Sequence, residues 1–333
     1  MDDSLTGHDG RANTIALSSE VLAWCTAILG PVQMTTSLRD EMSEVFLVTL
    51  ADERTVIVKT RQDPTGRARG CLEIQSRVAA AGLPCPQPLT ELARLGDLSV
   101  HAEQWRPGGE VLLGDDLETA VRSARLLAEV MEALGDFTPE HLPLPNPDWV
   151  RWDYGGPGEW PPHVWIDTAP NQGALPTHLQ DAADRVRQRI GRARLPCVVG
   201  HGDWEAQNLR WSEGRPFAIH DWDSAVYMPE AAVVGAAAGA FASNQTPTLA
   251  PLESSHAFLE AYQARRERRF TAEELEVGWA ASLWPAIHNA RAEFRFTSRP
   301  SRAPPSSTKP PSDYASPTRS GASVRRRASV RAG

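Results

Sequence analysis

The stretch His201-Gly-Asp-Trp-Glu-Ala-Gln-Asn208 decides how the rest of this 333-residue sequence is interpreted. An apolar run, Leu195 to Gly200, leads into it. A second run, Pro216 to His220, follows and ends at Asp221-Trp-Asp223. The pattern therefore predicts a strand, a polar loop, a second short strand and then a pair of carboxylates.

Three side chains in this stretch, Asp203, Asn208 and Asp221, suit one chemical task. A carboxylate such as Asp203 can accept the proton of a hydroxyl group. The amide oxygen of Asn208 and the carboxylate of Asp221 are oxygen ligands of the kind that hold Mg²⁺ on a nucleotide. The alternative is a polar turn in which Asp203 and Asn208 bond to their own backbone. That alternative does not explain Asp221, because a carboxylate after an apolar strand is costly to bury without a positive partner.

The spacing Asp-x-x-x-x-Asn resembles the catalytic loop of protein-kinase-like enzymes. With His-Gly-Asp before it and Asp-Trp-Asp after it, the sequence is similar to the aminoglycoside phosphotransferase and choline kinase branch. The resemblance covers roughly residues 18–298 and implies an α+β, bilobal protein-kinase-like fold. It also implies Mg²⁺-dependent transfer of the γ-phosphate of ATP, or another nucleoside triphosphate, to a small-molecule hydroxyl. An aminoglycoside-like compound or an amino alcohol would be a typical acceptor.

The chain divides into four predicted regions. We predict a nucleotide-covering lobe built on a small antiparallel sheet at residues 1–104, a hinge at 105–109, and a mainly helical catalytic and acceptor lobe at 110–298. Residues 299–333 are rich in Ser, Pro and Arg and lack periodicity, which predicts a disordered basic tail.

Periodicity and end signals predict the elements of both lobes. In the first lobe these are a helix from Glu20 to Ile28 capped by Ser18 or Ser19, a hairpin of Val45–Leu50 and Thr55–Thr60, a helix over 68–81, and strands at Leu89–Leu92 and Leu98–Gln104. In the second they are helices from Asp115 or Asp116 to Leu134, and at His178–Arg192, Ala231–Ala242, Leu252–Gln263 and Ala272–Arg291. Thr271 and Glu274 form a predicted capping box, and the Ala- and Gly-rich helix should pack closely on its neighbours.

The resemblance assigns the nucleotide-binding roles. Lys59 is one of only two lysines in a chain with 34 Lys and Arg residues. A lysine at the end of the Val-Ile-Val strand therefore indicates a site that requires a compact point charge rather than a guanidinium. The resemblance places it on the α- and β-phosphates, with Glu73 pairing with it from the following helix. The alternatives are a solvated lysine at a strand end and an ordinary exposed helix glutamate. The backbone of Ala102 to Gln104 would meet the adenine edge, and the loop from Thr35 to Ser43 would lie over the phosphates.

The remaining roles also follow from the resemblance. Asp203 accepts the proton of the acceptor hydroxyl or orients it. Asn208 and Asp221 bind Mg²⁺ that bridges the phosphates. His201 braces the loop by hydrogen bonding, and Asp223 assists the metal or holds its ligands in place.

Departures from the family pattern leave other functions open. Many relatives carry an Asp three residues after a Gly-x-Pro, whereas here Pro229 is followed by Glu230-Ala-Ala232. Acidic C-terminal residues that many aminoglycoside enzymes use to bind amines have no match in the basic tail. A non-catalytic nucleotide-binding regulatory protein is the alternative. A protein kinase fits less well, because Gly202 replaces the Arg of its catalytic loop and Asp221-Trp-Asp replaces Asp-Phe-Gly.

Composition and charge indicate the cellular compartment and the classes of partner that the chain would bind. Eight of the 34 Lys and Arg residues and one of the 42 Asp and Glu residues lie in 299–333, so residues 1–298 carry a net charge of −15. An acidic body argues against nucleic acid and is compatible with a cationic small molecule. The sequence contains no apolar run of about eighteen residues, so it predicts no membrane-spanning helix. The four scattered cysteines are typical of reduced thiols in a cytoplasmic protein.

Residues 139–176 form a long Pro- and Gly-rich segment with four tryptophans, Trp149, Trp152, Trp160 and Trp165. A long loop inside a compact domain is usually functional or disordered, and tryptophans argue against disorder. Two interpretations remain open: a wall of the acceptor site, and a loop that its aromatic residues hold on the core.

Overall fold

The computed structural model describes residues 17–40, 43–135, 137–139, 141–152, 154, 156, 160–244 and 248–297. The start at 1–16 and the tail predicted for 299–333 lie outside the described residues.

Within these residues, a five-stranded antiparallel sheet forms the N-terminal part, in the order β1-β2-β3-β5-β4. The strands are β1 (Val32–Asp40), β2 (Glu44–Leu50), β3 (Thr55–Gln62), β4 (Ala93–Leu95) and β5 (Leu98–Gln104). Helix α1 (Ser19–Ile28) begins where the Ser18 side chain accepts the Val21 N–H. The predicted hairpin is confirmed as β2 and β3, and one face of the sheet packs on α1. The core of that face contains Val21, Cys25, Phe46, Val48, Val56, Val58, Val100 and Ala102.

Two predictions in this part are wrong. Residues 89–92 do not form a strand, and β4 begins at Ala93. Pro88, which has no N–H to donate, makes only an isolated bridge with Glu103. Residues 35–40 do not form a loop, because β1 continues to Asp40 along β2. The β-branched threonines of this segment favour a strand. Residues 41 and 42 of the predicted loop lie outside the described residues.

Helix α2 (Arg67–Ala80) follows β3 and buries Cys71, Ile74, Gln75 and Val78. After β5, residues 105–109 connect the sheet to the C-terminal part. Glu110 and Trp211 exchange two backbone hydrogen bonds of 2.7 and 2.8 Å at the end of this connection. The predicted hinge segment thus joins the sheet directly to the hairpin that follows the His-Gly-Asp loop.

The C-terminal part is mainly helical, which confirms the predicted α+β fold class. Its helices are α3 (Leu117–Leu134), α4 (Val164–Asp167), α5 (Thr177–Arg192), α6 (Glu230–Ala240), α7 (Leu252–Arg265) and α8 (Ala272–Phe296). In the described ranges, two small sheets pair β6 (Cys197–His201) with β9 (Ala225–Pro229), and β7 (Leu209–Ser212) with β8 (Arg215–Ile219). The Asp116 cap of α3 and the capping box of α8 are both present. None of the helices that the structure describes is long and apolar enough to cross a membrane.

The tryptophan-rich segment before α5 packs on α8. The Trp284 ring lies 6.2 Å from the Trp152 ring and 5.7 Å from the Trp160 ring. Its indole N–H donates to the carbonyl oxygen of Trp149. These contacts support the interpretation that aromatic residues hold the segment on the core.

Helix α6 packs against α8 without space for side chains at two glycines, as its composition predicted. A Cβ added to Gly235 would overlap the carbonyl oxygen of Gly278, and one added to Gly239 would overlap that of Ser282. We expect Gly239→Ala to lower the free energy of unfolding by about 1–3 kcal/mol, because both backbones must move apart. Urea unfolding measures this.

The matched control is Gly191→Ala in α5, where no atom lies within 4 Å of an added Cβ. That variant should be neutral or slightly more stable, because alanine favours the helix. Equal unfolding free energies for the two variants would contradict the tight contact at Gly239.

Candidate active site

The His-Gly-Asp loop begins at the end of strand β6, in the C-terminal part of the chain. The N–H of Gly202 donates to the Ser224 carbonyl at 2.7 Å, which ties the loop to the start of β9. A Cβ at position 202 would collide with Val226 and lie 2.9 Å from the Ser224 oxygen. Glycine is therefore required here by the close approach of two strands.

His201 fixes the start of the loop with both ring nitrogens. Its Nδ1 accepts the N–H of Asp203 at 3.2 Å, and its Nε2 donates to the carbonyl of His220 at 3.0 Å. The ring lies between the edges of Trp204 and Trp222, with centroids 5.5 and 5.3 Å away. Burial lowers the pKa of His201. The neutral imidazole is the form that can accept at one nitrogen and donate at the other.

Asn208 holds the Asp203 carboxylate. Its Nδ2 donates to Asp203 Oδ2 at 2.8 Å and to the Asp203 carbonyl at 2.9 Å. Both amide hydrogens are thus directed at one residue, and the amide oxygen is directed away from it. The five-residue spacing of the motif therefore produces a direct contact between two predicted site residues.

The hairpin of β7 and β8 brings Asp221 to the same place. Leu209 pairs with Ile219, and the N–H of His220 donates to the Asn208 carbonyl at 2.8 Å. Asp221 follows with φ of 60°, a left-handed conformation that few residues other than Gly, Asn and Asp adopt. The structure thus brings Asp203, Asn208 and Asp221 together.

Lys59 faces this loop from β3 and is buried beside Glu103. Its Nζ lies 3.1 Å from Glu103 Oε1, and the two side chains are 11% and 4% exposed. Burial opposes the charge of Lys59, but Glu103, Asp223 and Asp221 raise its pKa above the ordinary value. Burial likewise opposes the charge of Glu103, but Lys59 and His101 lower its pKa to about 2. The pair is therefore fully charged at neutral pH.

Comparison with known families identifies the chain. The phosphotransferase enzyme family, APH, matches residues 36–271, a range that contains Lys59, Asp203, Asn208 and Asp221. The chain belongs to this phosphotransferase family. The resemblance inferred from the His-Gly-Asp and Asp-Trp-Asp motifs is thus confirmed. No curated protein matches the chain.

Solved phosphotransferase structures share the fold. The amicoumacin kinase hAmiN, in complex with AMP-PNP, Ca²⁺ and Ami, is 12% identical with a TM-score of 0.59, over 82% of this chain and 87% of that one. An aminoglycoside phosphotransferase from Alicyclobacillus acidocaldarius is 15% identical with a TM-score of 0.51, over 86% and 89%. At these identities, the likeness concerns the architecture.

The oxygen donors of this phosphotransferase fit a nucleotide-bound Mg²⁺ ion. Asn208 offers an amide oxygen, and Asp221 offers a carboxylate one residue after the His220 N–H that bonds to the Asn208 carbonyl. Among the described residues, no group of three or more His, Cys, Asp or Glu could hold a metal ion by itself. Mg²⁺ is commonly held by one or two carboxylates together with water and substrate phosphates, which matches this sparse donor set.

The structure does not pair Glu73 with Lys59, so that expectation is corrected. Glu73 lies on the exposed side of α2, with its Oε1 3.7 Å from Arg77 Nε. Helical spacing explains this, because the buried stripe of α2 includes positions 71, 74, 75 and 78. The inward residue is Gln75, whose Nε2 donates to Glu103 Oε2 at 2.7 Å. Glu103 continues the polar alternation of Ser99 and His101 in β5, so the sequence does not mark it as the partner of the lysine.

The backbone edge predicted to meet adenine is already in use. The Ala102 N–H donates to Thr90 Oγ1 at 3.0 Å, and its carbonyl accepts the Leu89 N–H at 2.8 Å. The Gln104 N–H donates to the Gln87 carbonyl at 2.8 Å. The expectation is therefore corrected for the N–H and carbonyl of Ala102 and for the N–H of Gln104, because the segment at 87–90 lies along this edge of β5.

Asp223 is held by the N-terminal part. Its Oδ1 lies 2.5 Å from Arg61 Nη1, and its Oδ2 accepts the Ser43 hydroxyl at 3.0 Å. The Asp223 carbonyl accepts Arg67 Nη2 at 2.8 Å. Burial opposes its charge, but Arg61 and Lys59 hold the pKa of Asp223 well below its usual range. The second carboxylate of Asp-Trp-Asp thus binds Arg61 and Ser43, whereas the resemblance implies that it assists the metal or holds the metal ligands in place.

Glu205 is a further carboxyl group in the loop that sequence reasoning did not single out. Its Oε2 accepts Gln207 Nε2 at 2.7 Å. Burial, then the charges of Asp203 and Asp221, raise its pKa to about 8, although Gln207 opposes this. The Glu205 carboxyl is therefore largely protonated at neutral pH.

The neutral state of His201 predicts a pH-dependent stability. Its folded pKa lies below the ordinary value of 6.5, so the unfolded chain binds the proton first as pH falls. The stability that neutral His201 confers is present above about pH 6.5 and is lost as pH falls toward the lower folded pKa. We expect His201→Gln to flatten the fall of the urea midpoint between about pH 7 and 5.

The control is His178→Gln, at the exposed start of α5. It should leave the pH dependence of the urea midpoint unchanged. An unchanged pH dependence in His201→Gln as well would show that other groups cause the acid destabilisation.

Proposed function

We propose that this chain is a small-molecule kinase, which transfers the γ-phosphate of ATP to a hydroxyl group of its acceptor with the help of Mg²⁺. One observation carries the proposal. Asp203, Asn208 and Asp221 converge at one loop edge, where the charged Lys59–Glu103 pair faces them. An arrangement of this kind positions reactants and neutralises phosphate charge.

In this proposal, the residues of the site divide between the acceptor, the metal and the nucleotide. Asn208 fixes the Asp203 carboxylate, which orients the acceptor hydroxyl and accepts its proton as the phosphoryl group is transferred. Asn208 and Asp221 would hold Mg²⁺, which when bound neutralises the charge that develops between the β- and γ-phosphates. Lys59 contacts the α- and β-phosphates, and Glu103 keeps it charged and aimed. The backbone at 105–109, directly after β5, would contact the adenine.

The acceptor that we propose is a cationic alcohol, such as an aminoglycoside-like compound or an amino alcohol. The net charge of −15 on residues 1–298 favours a cation over an anion in encounter. An aminoglycoside phosphotransferase is also among the proteins that share the fold.

A transfer assay tests the proposal. The full chain would be incubated with Mg²⁺, ATP and a panel of aminoglycosides and amino alcohols, with ADP release and the mass of each acceptor as readouts. We expect one acceptor to gain a phosphoryl group. Failure to bind Mg-ATP in a thermal-shift assay would overturn the proposal. Nucleotide binding without transfer to any hydroxyl would instead favour a regulatory protein.

A further inference from the structure

We propose that Arg61 is a second phosphate-binding cation, beside Lys59, for the nucleotide of the proposed reaction. In this structure, the Asp223 carboxylate holds the Arg61 guanidinium in place. The inference rests on the proposed function and adds to it a residue that the family motifs do not include.

The strand places Arg61 on the same side of the sheet as Lys59. Alternate residues of a strand point to opposite faces, so side chains two positions apart lie about 7 Å from each other on one face. Val56 and Val58 occupy the other face, in the core against α1. Lys59 pairs with His101 and Arg61 with Ser99 across β5. The two cations therefore form a row that points toward the C-terminal part.

Asp223 connects Arg61 to the loop that carries the proposed metal ligand Asp221. It follows Asp221, the proposed metal ligand, by two residues. Its carboxylate gathers Arg61 Nη1 at 2.5 Å and the Ser43 hydroxyl at 3.0 Å, and its charge also acts on Lys59. A guanidinium and a hydroxyl that contact one anion are donors of the kind that phosphate groups collect. The Asp223 carboxylate thus gathers groups that are suited to a phosphate.

The second terminal nitrogen of Arg61 shows that this pairing is incomplete. Nη2 is buried and has no hydrogen-bond partner among the described residues, and the Arg61 side chain is only 12% exposed. A buried charged donor without an acceptor is costly. The ion pair with Asp223 provides an acceptor for Nη1 but leaves Nη2 without one. A phosphate oxygen would complete the site when the nucleotide binds.

The experiment compares Arg61→Gln, Asp223→Asn and the double variant with the wild type. Arg61→Gln alone leaves the Asp223 carboxylate without its cation and is at risk of unfolding, whereas the double variant removes both charges together. Calorimetry with Mg²⁺ would measure the affinities for AMP-PNP and adenosine. We expect the double variant to bind AMP-PNP about tenfold to hundredfold more weakly than Asp223→Asn, as for the loss of one charged hydrogen bond. Adenosine affinity should be equal in the two.

A matched control and three outcomes make the test decisive. Arg54→Gln removes an arginine from an exposed ion pair in the turn between β2 and β3 and should leave both affinities unchanged. Equal AMP-PNP affinity in the double variant and Asp223→Asn would overturn the inference, because Arg61 would then be only a counter-ion. A Mg²⁺-dependent loss in Asp223→Asn would overturn it as well, since that carboxylate would serve the metal. A wild type that does not bind AMP-PNP would overturn the proposed function too.

Discussion

Asp203→Asn is expected to lower phosphoryl transfer by about 10²–10⁴-fold, the range for a general acid–base group. Affinity for Mg²⁺ with AMP-PNP should stay close to that of the wild type. Asparagine keeps the size of the side chain and an oxygen that can accept Asn208 Nδ2, but it cannot take the proton of a hydroxyl. Steady-state transfer to the acceptor measures the first quantity, and calorimetry measures the second.

The contrasting variant is Asp221→Asn, which should weaken the metal-dependent part of nucleotide binding. Titrations with Mg²⁺ and with EDTA separate that part from the rest. Until the acceptor is known, slow ATP hydrolysis can serve as the activity readout. Wild-type binding and turnover in both variants would show that the loop is a polar turn in which Asp203 and Asn208 satisfy their own backbone.

The candidate catalytic loop could be predicted because its geometry is local. Asp203 and Asn208 are five residues apart and contact each other directly. Asp221 follows a hairpin whose register is fixed by its own short turn, so its position beside Asn208 needs no distant partner. The hairpin of β2 and β3 and the capping box of α8 were predictable for the same reason, because their signals lie within a few residues.

Contacts that depend on sheet order could not be predicted from the sequence. Lys59 meets Glu103 because β5 is the neighbour of β3, with β4 on the outside. A resemblance that places the partner of the lysine on a helix gives no indication of that order. Similarly, the contact between Arg61 and Asp223 joins the sheet to the C-terminal part. The side of α2 on which Glu73 lies could nevertheless be predicted, because Glu73 falls outside the apolar stripe at 71, 74 and 78.

Among substitutions of the residues around Lys59, Glu103→Gln should lower the free energy of unfolding the most. The substitution leaves the Lys59 ammonium buried without its nearest carboxylate, and breaking a buried pair costs about 3–5 kcal/mol. Urea unfolding at neutral pH measures the full effect. The folded pKa of Glu103 is about 2, below its ordinary value of 4.5. Its contribution is thus present above pH 4.5 and is lost as pH falls toward 2.

Glu73→Gln is the matched control, because it removes the same charge from the exposed side of α2. A surface pair of this kind contributes about 0–1 kcal/mol, so stability should change little. AMP-PNP affinity should fall in Glu103→Gln and stay constant in Glu73→Gln, because Glu103 pairs with Lys59 whereas Glu73 lies beside Arg77. In the proposed function, the pair with Glu103 aims Lys59 at the phosphates. The reverse order of effects would return the role of lysine partner to the helix. It would also mean that α2 moves toward β3 when nucleotide binds.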